Sequence, residues 1–113
     1  MNEFEGIIDT YILNYVTYKN GKVVFDYKYG ELIFFKQSPK TIVLFGIYIY
    51  PEYRKQGICR SILKYLIDKS STKFEKLCVQ SVLSKVLYEY LKRFEYKNRK
   101  FKNVNDGWFF KLF

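Results

Sequence analysis

The segment from Arg54 to Arg60 places a glycine and three cationic side chains immediately before an amphipathic helix. It reads Arg-Lys-Gln-Gly-Ile-Cys-Arg and follows a nearly continuous apolar run, 41–50, that Pro51 ends. A helix N-terminus offers unpaired backbone N–H groups and the positive end of the helix dipole, which together favour a phosphate. A glycine there lets the backbone approach the anion closely. The segment therefore predicts a phosphate-binding loop, although an ordinary strand-to-helix turn can have the same pattern.

The first half of the chain, which supplies the strand before this loop, has the composition of β-strands. Residues 10–18 are rich in β-branched and aromatic side chains and run into Asn20-Gly21, a strong hairpin signal. Three further strands are predicted at about 22–27, 31–36 and 41–50. Together they predict an N-terminal antiparallel meander whose last strand is central and buried.

The second half alternates helical and strand patterns. Ile58, Ile62 and Leu66 form an apolar stripe at helical spacing, which predicts a helix over 57–69. A short strand, 77–79, should lie parallel to the strand at 41–50 because a helix connects them. A second helix at about 82–93 and a C-terminal hairpin, roughly 94–96 with 108–113, complete one α/β (α+β) domain over residues 1–113 with a mostly antiparallel twisted sheet.

The stretch from Ile47 to Leu63 resembles the acetyl-CoA signature of the GNAT N-acetyltransferase superfamily. Arg54 matches the first position of its Gln/Arg-x-x-Gly-x-Gly/Ala motif, Gly57 matches the central glycine, and Cys59 replaces the final small residue. The resemblance extends over roughly residues 22–113. It implies a reduced GNAT fold without the two usual N-terminal helices, since the predicted hairpins are too tight to hold them.

The resemblance also implies a function and a set of site residues. The function is transfer of an acetyl group from acetyl-CoA, as co-substrate, to a primary amine of a protein or small molecule. Main-chain groups of two strand residues would pair with the pantetheine arm, and backbone N–H groups of the loop would hold the pyrophosphate. The implied cofactor-binding residues are Tyr48, Ile49, Arg54, Lys55, Gln56, Gly57, Ile58, Cys59 and Arg60.

The resemblance gives Tyr88 the role of general acid towards the departing thiolate. The family's Gly-Phe is replaced here by Arg93-Phe94, and the tyrosine-to-phenylalanine spacing is one residue longer, so Tyr90 is the alternative. For the general base, the sequence offers carboxylates such as those of Glu31 and Glu52, or a bound water, and none is assigned. Cys78, which falls in the short strand, is a further candidate nucleophile, although a buried inert thiol is the plainer interpretation.

Composition narrows the remaining classes. The chain contains no histidine, which excludes imidazole bases and histidine-ligated metals, so no metal site is predicted. Two cysteines give no disulfide framework, and neither a secretory signal nor a membrane-length apolar stretch is present, which predicts a cytoplasmic protein without a membrane partner.

Two rival functions remain open alongside acetyl transfer. The net charge of +9 arises entirely from residues 51–113 and attracts polyanions. Within that region, residues 92–102 interleave six cations with three aromatics, which admits a less favoured nucleic-acid-binding module. The other rival is a catalytically silent GNAT-fold binding or regulatory protein. A homodimer that completes the acceptor site is also compatible with the sequence.

Overall fold

The computed structural model describes residues 3–12, 21–35, 40–80, 85–105 and 107–112. Its helices are α1 (Glu3–Ile12), α2 (Ile58–Ser70) and α3 (Lys85–Arg93), with a 3₁₀ turn at Pro51–Tyr53. Its strands are β1 (Lys22–Tyr27), β2 (Gly30–Phe35), β3 (Thr41–Ile49), β4 (Lys76–Gln80), β5 (Glu95–Tyr96), β6 (Arg99–Lys100), β7 (Lys102–Val104) and β8 (Gly107–Lys111).

Six strands form one mixed sheet in the order β1-β2-β3-β4-β8-β7, and β5 and β6 form a separate two-stranded ribbon. β3 and β4 are parallel and are joined through α2, while the other neighbours are antiparallel. The predicted α+β class, the meander of β1–β3 and the parallel pair at the centre of the sheet are confirmed.

The helices pack on one face of this sheet, here called the covered face. Tyr11 of α1 stacks on Phe34 with ring centroids 4.1 Å apart, and Tyr88 of α3 meets Trp108 edge-on at 5.0 Å. α2 lies beside α1 in the same layer. Strand residues on the covered face are almost completely buried, and they are Leu32, Phe34, Ile42, Leu44, Leu77, Val79, Trp108 and Phe110.

The N-terminal region differs from the prediction. Residues 10–12, expected to begin a strand over 10–18, belong to α1, and 13–20 lie outside the described residues. The structure thus has one helix, α1, ahead of β1, where the first strand was expected to begin. Phe4, Ile8 and Tyr11 recur at helical spacing and are buried, a periodicity that the β-rich composition after Thr10 obscured.

The C-terminal hairpin is also paired differently. β8 pairs with residues 102–104, so the predicted pairing with residues 94–96 is wrong. Residues 95–96 pair instead with 99–100 in the small ribbon. Lys97 and Asn98, both with positive φ, form the tight turn of that ribbon. β8 also pairs with β4, and this pairing joins the hairpin to the rest of the sheet.

Candidate active site

β3 separates from β4 at a β-bulge. The two strands pair only from Thr41 to Leu44, and β3 then continues to Ile49. Phe34 pairs with Leu44 but Ile33 pairs with Gly46, so Phe45 is an extra residue in β3. A bulge bends its strand and increases the local twist. The space between residues 45–49 and the end of β4, here called the gap, therefore borders a strand edge that no described strand pairs with.

The register shows which main-chain groups face the gap. The N–H of Tyr50 donates to the Tyr29 carbonyl at 2.8 Å, continuing the β2–β3 ladder. The Tyr48 carbonyl is also directed at β2, because a Cβ built on Gly30 would lie 1.7 Å from that oxygen. Since bonded and non-bonded pairs alternate along an antiparallel ladder, Ile47 and Ile49 direct their main-chain groups into the gap.

The sequence-predicted strand residues therefore fall in two places. The main chain of Ile49 lies at the gap, whereas that of Tyr48 is directed towards β2, and Tyr48 as a residue is 46% exposed. The sequence did not identify Ile47 as a gap residue. The direction of its main-chain groups depends on strand pairing and on the bulge, and the sequence shows neither.

The loop between β3 and α2 has the backbone of an anion site. Lys55 and Gly57 adopt left-handed conformations, with φ of 63° and 77°. The first α-helical bond runs from Ser61 N–H to the Gly57 carbonyl at 3.0 Å, so the N–H groups of 58–60 precede the helical ladder. Among the described residues no side chain caps this end, and its first turn has no acid. A Cβ built on Gly57 would meet no atom of the described residues within 4 Å, so they leave the space beside the loop open.

Side chains hold this loop through bonds to main-chain carbonyls. Arg54 Nε donates to the Ile49 carbonyl at 2.8 Å, and its guanidinium lies 5.5 Å from the Tyr48 ring centroid. Gln56 Nε2 donates to the Glu52 carbonyl at 3.1 Å. The Arg54 contact ties the loop directly to the gap, so the two features form one continuous surface.

Beyond the loop, an open groove of about 660 Å³ runs between α2 and α3. Arg60 lies at its loop end, where its guanidinium packs 5.3 Å from the Phe94 ring centroid and donates to the Glu95 carbonyl at 3.2 Å. The lining contains three cations and one acid, and its members are Arg60, Lys85, Val86, Glu89, Tyr90, Arg93 and Phe94. The sequence shows Lys85, Glu89 and Arg93 at helical spacing, but spacing alone does not reveal the neighbouring helix that makes them part of a groove.

The two candidate tyrosines of α3 differ in environment. Tyr88 is 40% exposed and packs edge-on against Trp108 at the end of β8 beside β4. The Tyr90 hydroxyl is buried and has no well-aligned hydrogen-bond partner among the described residues. Burial raises the pKa of Tyr90 to about 12, the nearby Cys59 adds to this effect, and the Arg60 guanidinium opposes it. Of the two residues, Tyr88 is the more exposed, and the hydroxyl of Tyr90 is buried.

The thiols are poor nucleophiles in this setting. Burial raises the pKa of Cys59 to about 12 and that of Cys78 to about 11, so both remain protonated near neutral pH. Glu31, a candidate base, lies opposite Tyr48 on β2, and Glu52 is exposed in the 3₁₀ turn. The described residues contain no cluster of three or more acids and cysteines suited to a metal ion.

The basic segment 92–102 is part of the fold. Phe94 and Phe101 are buried against Phe110, and the Tyr96 hydroxyl donates to the Asp68 carboxylate. These aromatics are therefore not free to stack on nucleotide bases. In the described part of the chain, no helix has both the length and the apolar character needed to cross a bilayer.

Comparisons with known proteins agree with this geometry. A structure from Exiguobacterium sp. 255-15, described as a "putative acetyltransferase", shares the fold with a TM-score of 0.53 and 16% identity over 95% of this chain and 73% of its own. The chain matches no curated protein. The model of the acetyltransferase (GNAT) family matches residues 10–95, which is more than half of the chain and includes β1–β4, the loop and α3. The chain belongs to the GNAT acetyltransferase family.

Proposed function

We propose that this protein is a cytoplasmic N-acyltransferase that moves an acetyl group from acetyl-CoA to a primary amine of a protein or small molecule. The observation that carries the proposal is the junction of the uncapped α2 N-terminus with the gap, which Arg54 links through its bond to Ile49. The loop is suited to a pyrophosphate, and the strand edge is suited to an extended amide-containing arm. Acetyl-CoA carries both groups in that order.

The loop would hold the pyrophosphate mainly with main-chain groups. The N–H groups of residues 56–60 are its donors, and Lys55 and Arg60 contribute positive charge. Ile47 and Ile49 would pair with the pantetheine amides, in the way that an added strand extends a sheet edge. Tyr48 then contributes its ring, over which Arg54 lies, and not its main chain.

The groove would take the nucleotide end of the same molecule. It begins at Arg60, next to the pyrophosphate loop, and its cations Lys85 and Arg93 suit the additional 3′-phosphate. Changing both to glutamine should weaken binding of CoA but hardly affect dephospho-CoA, which lacks this phosphate. If the substitutions weaken both ligands equally, the nucleotide does not lie in this groove.

In the proposed reaction the neutral amine nitrogen attacks the thioester carbonyl carbon and forms the new C–N bond. N–H groups at the gap stabilise the negative charge on the carbonyl oxygen. As the C–S bond breaks, Tyr88 donates its hydroxyl proton to the sulfur. The proton from the amine passes to solvent water, because no side chain is assigned as base. Proximity and polarisation supply most of the rate enhancement.

The second candidate is a silent GNAT-fold protein that binds acetyl-CoA without turning it over. Two observations favour it: the described residues around the gap include no group identifiable as a base, and the Tyr88 ring already packs against Trp108. It predicts cofactor binding without product formation.

The test is an acetyl-transfer assay against a panel of amines that includes a polyamine and lysine-containing peptides. Release of the CoA thiol and the mass of the product would be measured together. Turnover that Gly57→Ala reduces sharply at limiting acetyl-CoA, while the Gly21→Ala control retains it, would support the enzyme. Tight acetyl-CoA binding without any acetylated product would favour the silent protein, and absence of binding by the folded chain would refute both.

A further inference from the structure

The sheet has a second face, here called the open face, that points away from all three described helices. Its side chains alternate with those of the covered face, and none of the described helices packs on it. Phe35 and Phe45 stack at its centre with ring centroids 4.3 Å apart, and both remain partly exposed. Its other apolar members are Val24, Ile33, Val43, Tyr48, Cys78, Val104 and Phe109.

Two like-charged pairs lie at diagonally opposite corners of the open face, and Lys22 and Lys102 are further cations on this face. Asp26 and Glu31 are direct cross-strand partners on β1 and β2, at the end of the sheet where β3 finishes. Lys76 and Lys111 are direct partners on β4 and β8, at the other end. Like charges directly opposite each other destabilise an isolated sheet. Within the described residues, neither corner has an ion-pair partner of the opposite sign.

We propose that the open face is the interface of a homodimer in which the acidic corner of each copy meets the basic corner of the other. A two-fold axis lying in the plane of the interface and passing near Phe45 relates the corners in this way. The contact is then self-complementary, as an isologous interface must be. Because the axis runs diagonally to the strands, the two sheets cross at a steep angle, near the orthogonal class of sheet packing.

The size of the face is consistent with a dimer. Six strands spaced about 4.8 Å apart and five residues long, at about 3.3 Å each, cover roughly 24 by 17 Å. The flat area of the face is about 400 Å². Because side chains protrude from the sheet, the solvent-accessible area is larger and approaches about 600 Å² per partner, the lower end of the range for specific interfaces. The apolar centre and charged corners also match the usual division of an interface into core and rim. This inference does not depend on acetyl transfer.

Two charge-reversal variants test the pairing of corners. The first, Asp26→Lys with Glu31→Lys, makes both corners basic, and the second, Lys76→Glu with Lys111→Glu, makes both acidic. Each variant alone should be monomeric, whereas an equimolar mixture should form a heterodimer because every corner then meets its opposite. Sedimentation equilibrium over a concentration series, read against the 13.7 kDa monomer, would measure each state.

The control is Lys92→Glu with Lys100→Glu, which makes the same charge change on α3 and β6, away from the open face. It should dimerise as the wild type does, and circular dichroism of each variant verifies folding. Weakening of the wild-type dimer by salt is also expected. A monomeric wild type at all concentrations, reversals that leave the dimer intact, or folded reversal variants that do not associate when mixed would each overturn the proposal.

Discussion

Replacing Gly57 with alanine should weaken acetyl-CoA binding strongly and lower stability only modestly. Gly57 has φ of 77°, a conformation that costs an L-residue roughly 1–2 kcal/mol. Alanine also restricts the unfolded chain more than glycine does, which offsets about 0.4–1 kcal/mol of this loss in the free energy of unfolding. Across the described parts of the chain, no atom lies within 4 Å of the added Cβ, so these residues add no steric cost. The net loss is about 1 kcal/mol, or roughly 5 °C in Tm for a domain of this size.

The effect on the ligand should be larger, because the added methyl group occupies the space through which the anion approaches. Loss of one charge-assisted hydrogen bond costs about 1.5–3 kcal/mol, which weakens Kd by roughly 10–150-fold. Acetyl-CoA at about 100 times the wild-type Kd stabilises the native protein by about 2.7 kcal/mol. That corresponds to a rise in Tm of about 10 °C or more, which should fall to a few degrees in Gly57→Ala.

Gly21→Ala is a matched control for this experiment. Gly21 has φ of 79°, and a Cβ there also meets no atom of the described residues within 4 Å, so the backbone cost is the same. Gly21 precedes β1 and is not part of the loop. Both variants should lose similar stability without ligand in differential scanning fluorimetry, but only Gly21→Ala should keep the full acetyl-CoA shift. An undiminished shift in Gly57→Ala, or an equal loss in both, would refute the assignment of the loop.

Three further outcomes can be measured on the same protein. Tyr88→Phe should lower kcat by about 10²-fold or more with little change in acetyl-CoA affinity, since only a proton donor is removed. If kcat is unchanged in Tyr88→Phe but falls in Tyr90→Phe, Tyr90 is the general acid. Both thiols should react slowly with a disulfide reagent at pH 8 in the native protein and rapidly after unfolding, because burial raises their pKa values; rapid native reaction would contradict this. Burial alone would raise the pKa of Asp68, but hydrogen bonds from Lys97 and Tyr96 outweigh it and hold that pKa below its ordinary value of 3.8. Because the pKa of Asp68 is lower in the folded protein, its carboxylate stabilises the native state above pH 3.8, and this stabilisation is lost as the pH falls through the folded pKa. Asp68→Asn should therefore lower Tm at pH 7 more than at pH 2. An equal drop in Tm at both pH values would refute this role of Asp68.

Much of the second half of the chain could be predicted from local signals. The helix from Ile58 to Ser70 follows from an apolar stripe with a glycine before it, and the parallel β3–β4 pair follows from the helix that joins them. The N-terminal helix was missed because helical periodicity and β-rich composition compete within the same few residues around Thr10. Long-range packing, which decides between the two, is not visible in the sequence.

The candidate site divides in the same way. Gly57 and its flanking cations could be found from a motif because a left-handed turn before a helix leaves a local signature. The gap could not be predicted from the sequence, because it depends on the extra residue Phe45, and only the pairing of β3 with β2 reveals this bulge. The sequence shows that Lys85 and Arg93 of α3 are charged, but it does not show that they line a groove, because the groove forms only where α3 lies next to Arg60 of α2.

The arrangement also explains why a loop with an unusual residue can keep the geometry of its family. The proposed pyrophosphate donors are backbone N–H groups, so the loop depends on φ at residues such as Gly57 more than on which side chains flank it. Cys59, where the family has glycine or alanine, lies partly buried towards Tyr90 and leaves the open space beside Gly57 unobstructed. Under the proposed function, side-chain identity should instead matter at Tyr88 and at the groove cations. Substitution of Cys59 by alanine should therefore leave acetyl-CoA affinity nearly unchanged, whereas alteration of the loop backbone should not.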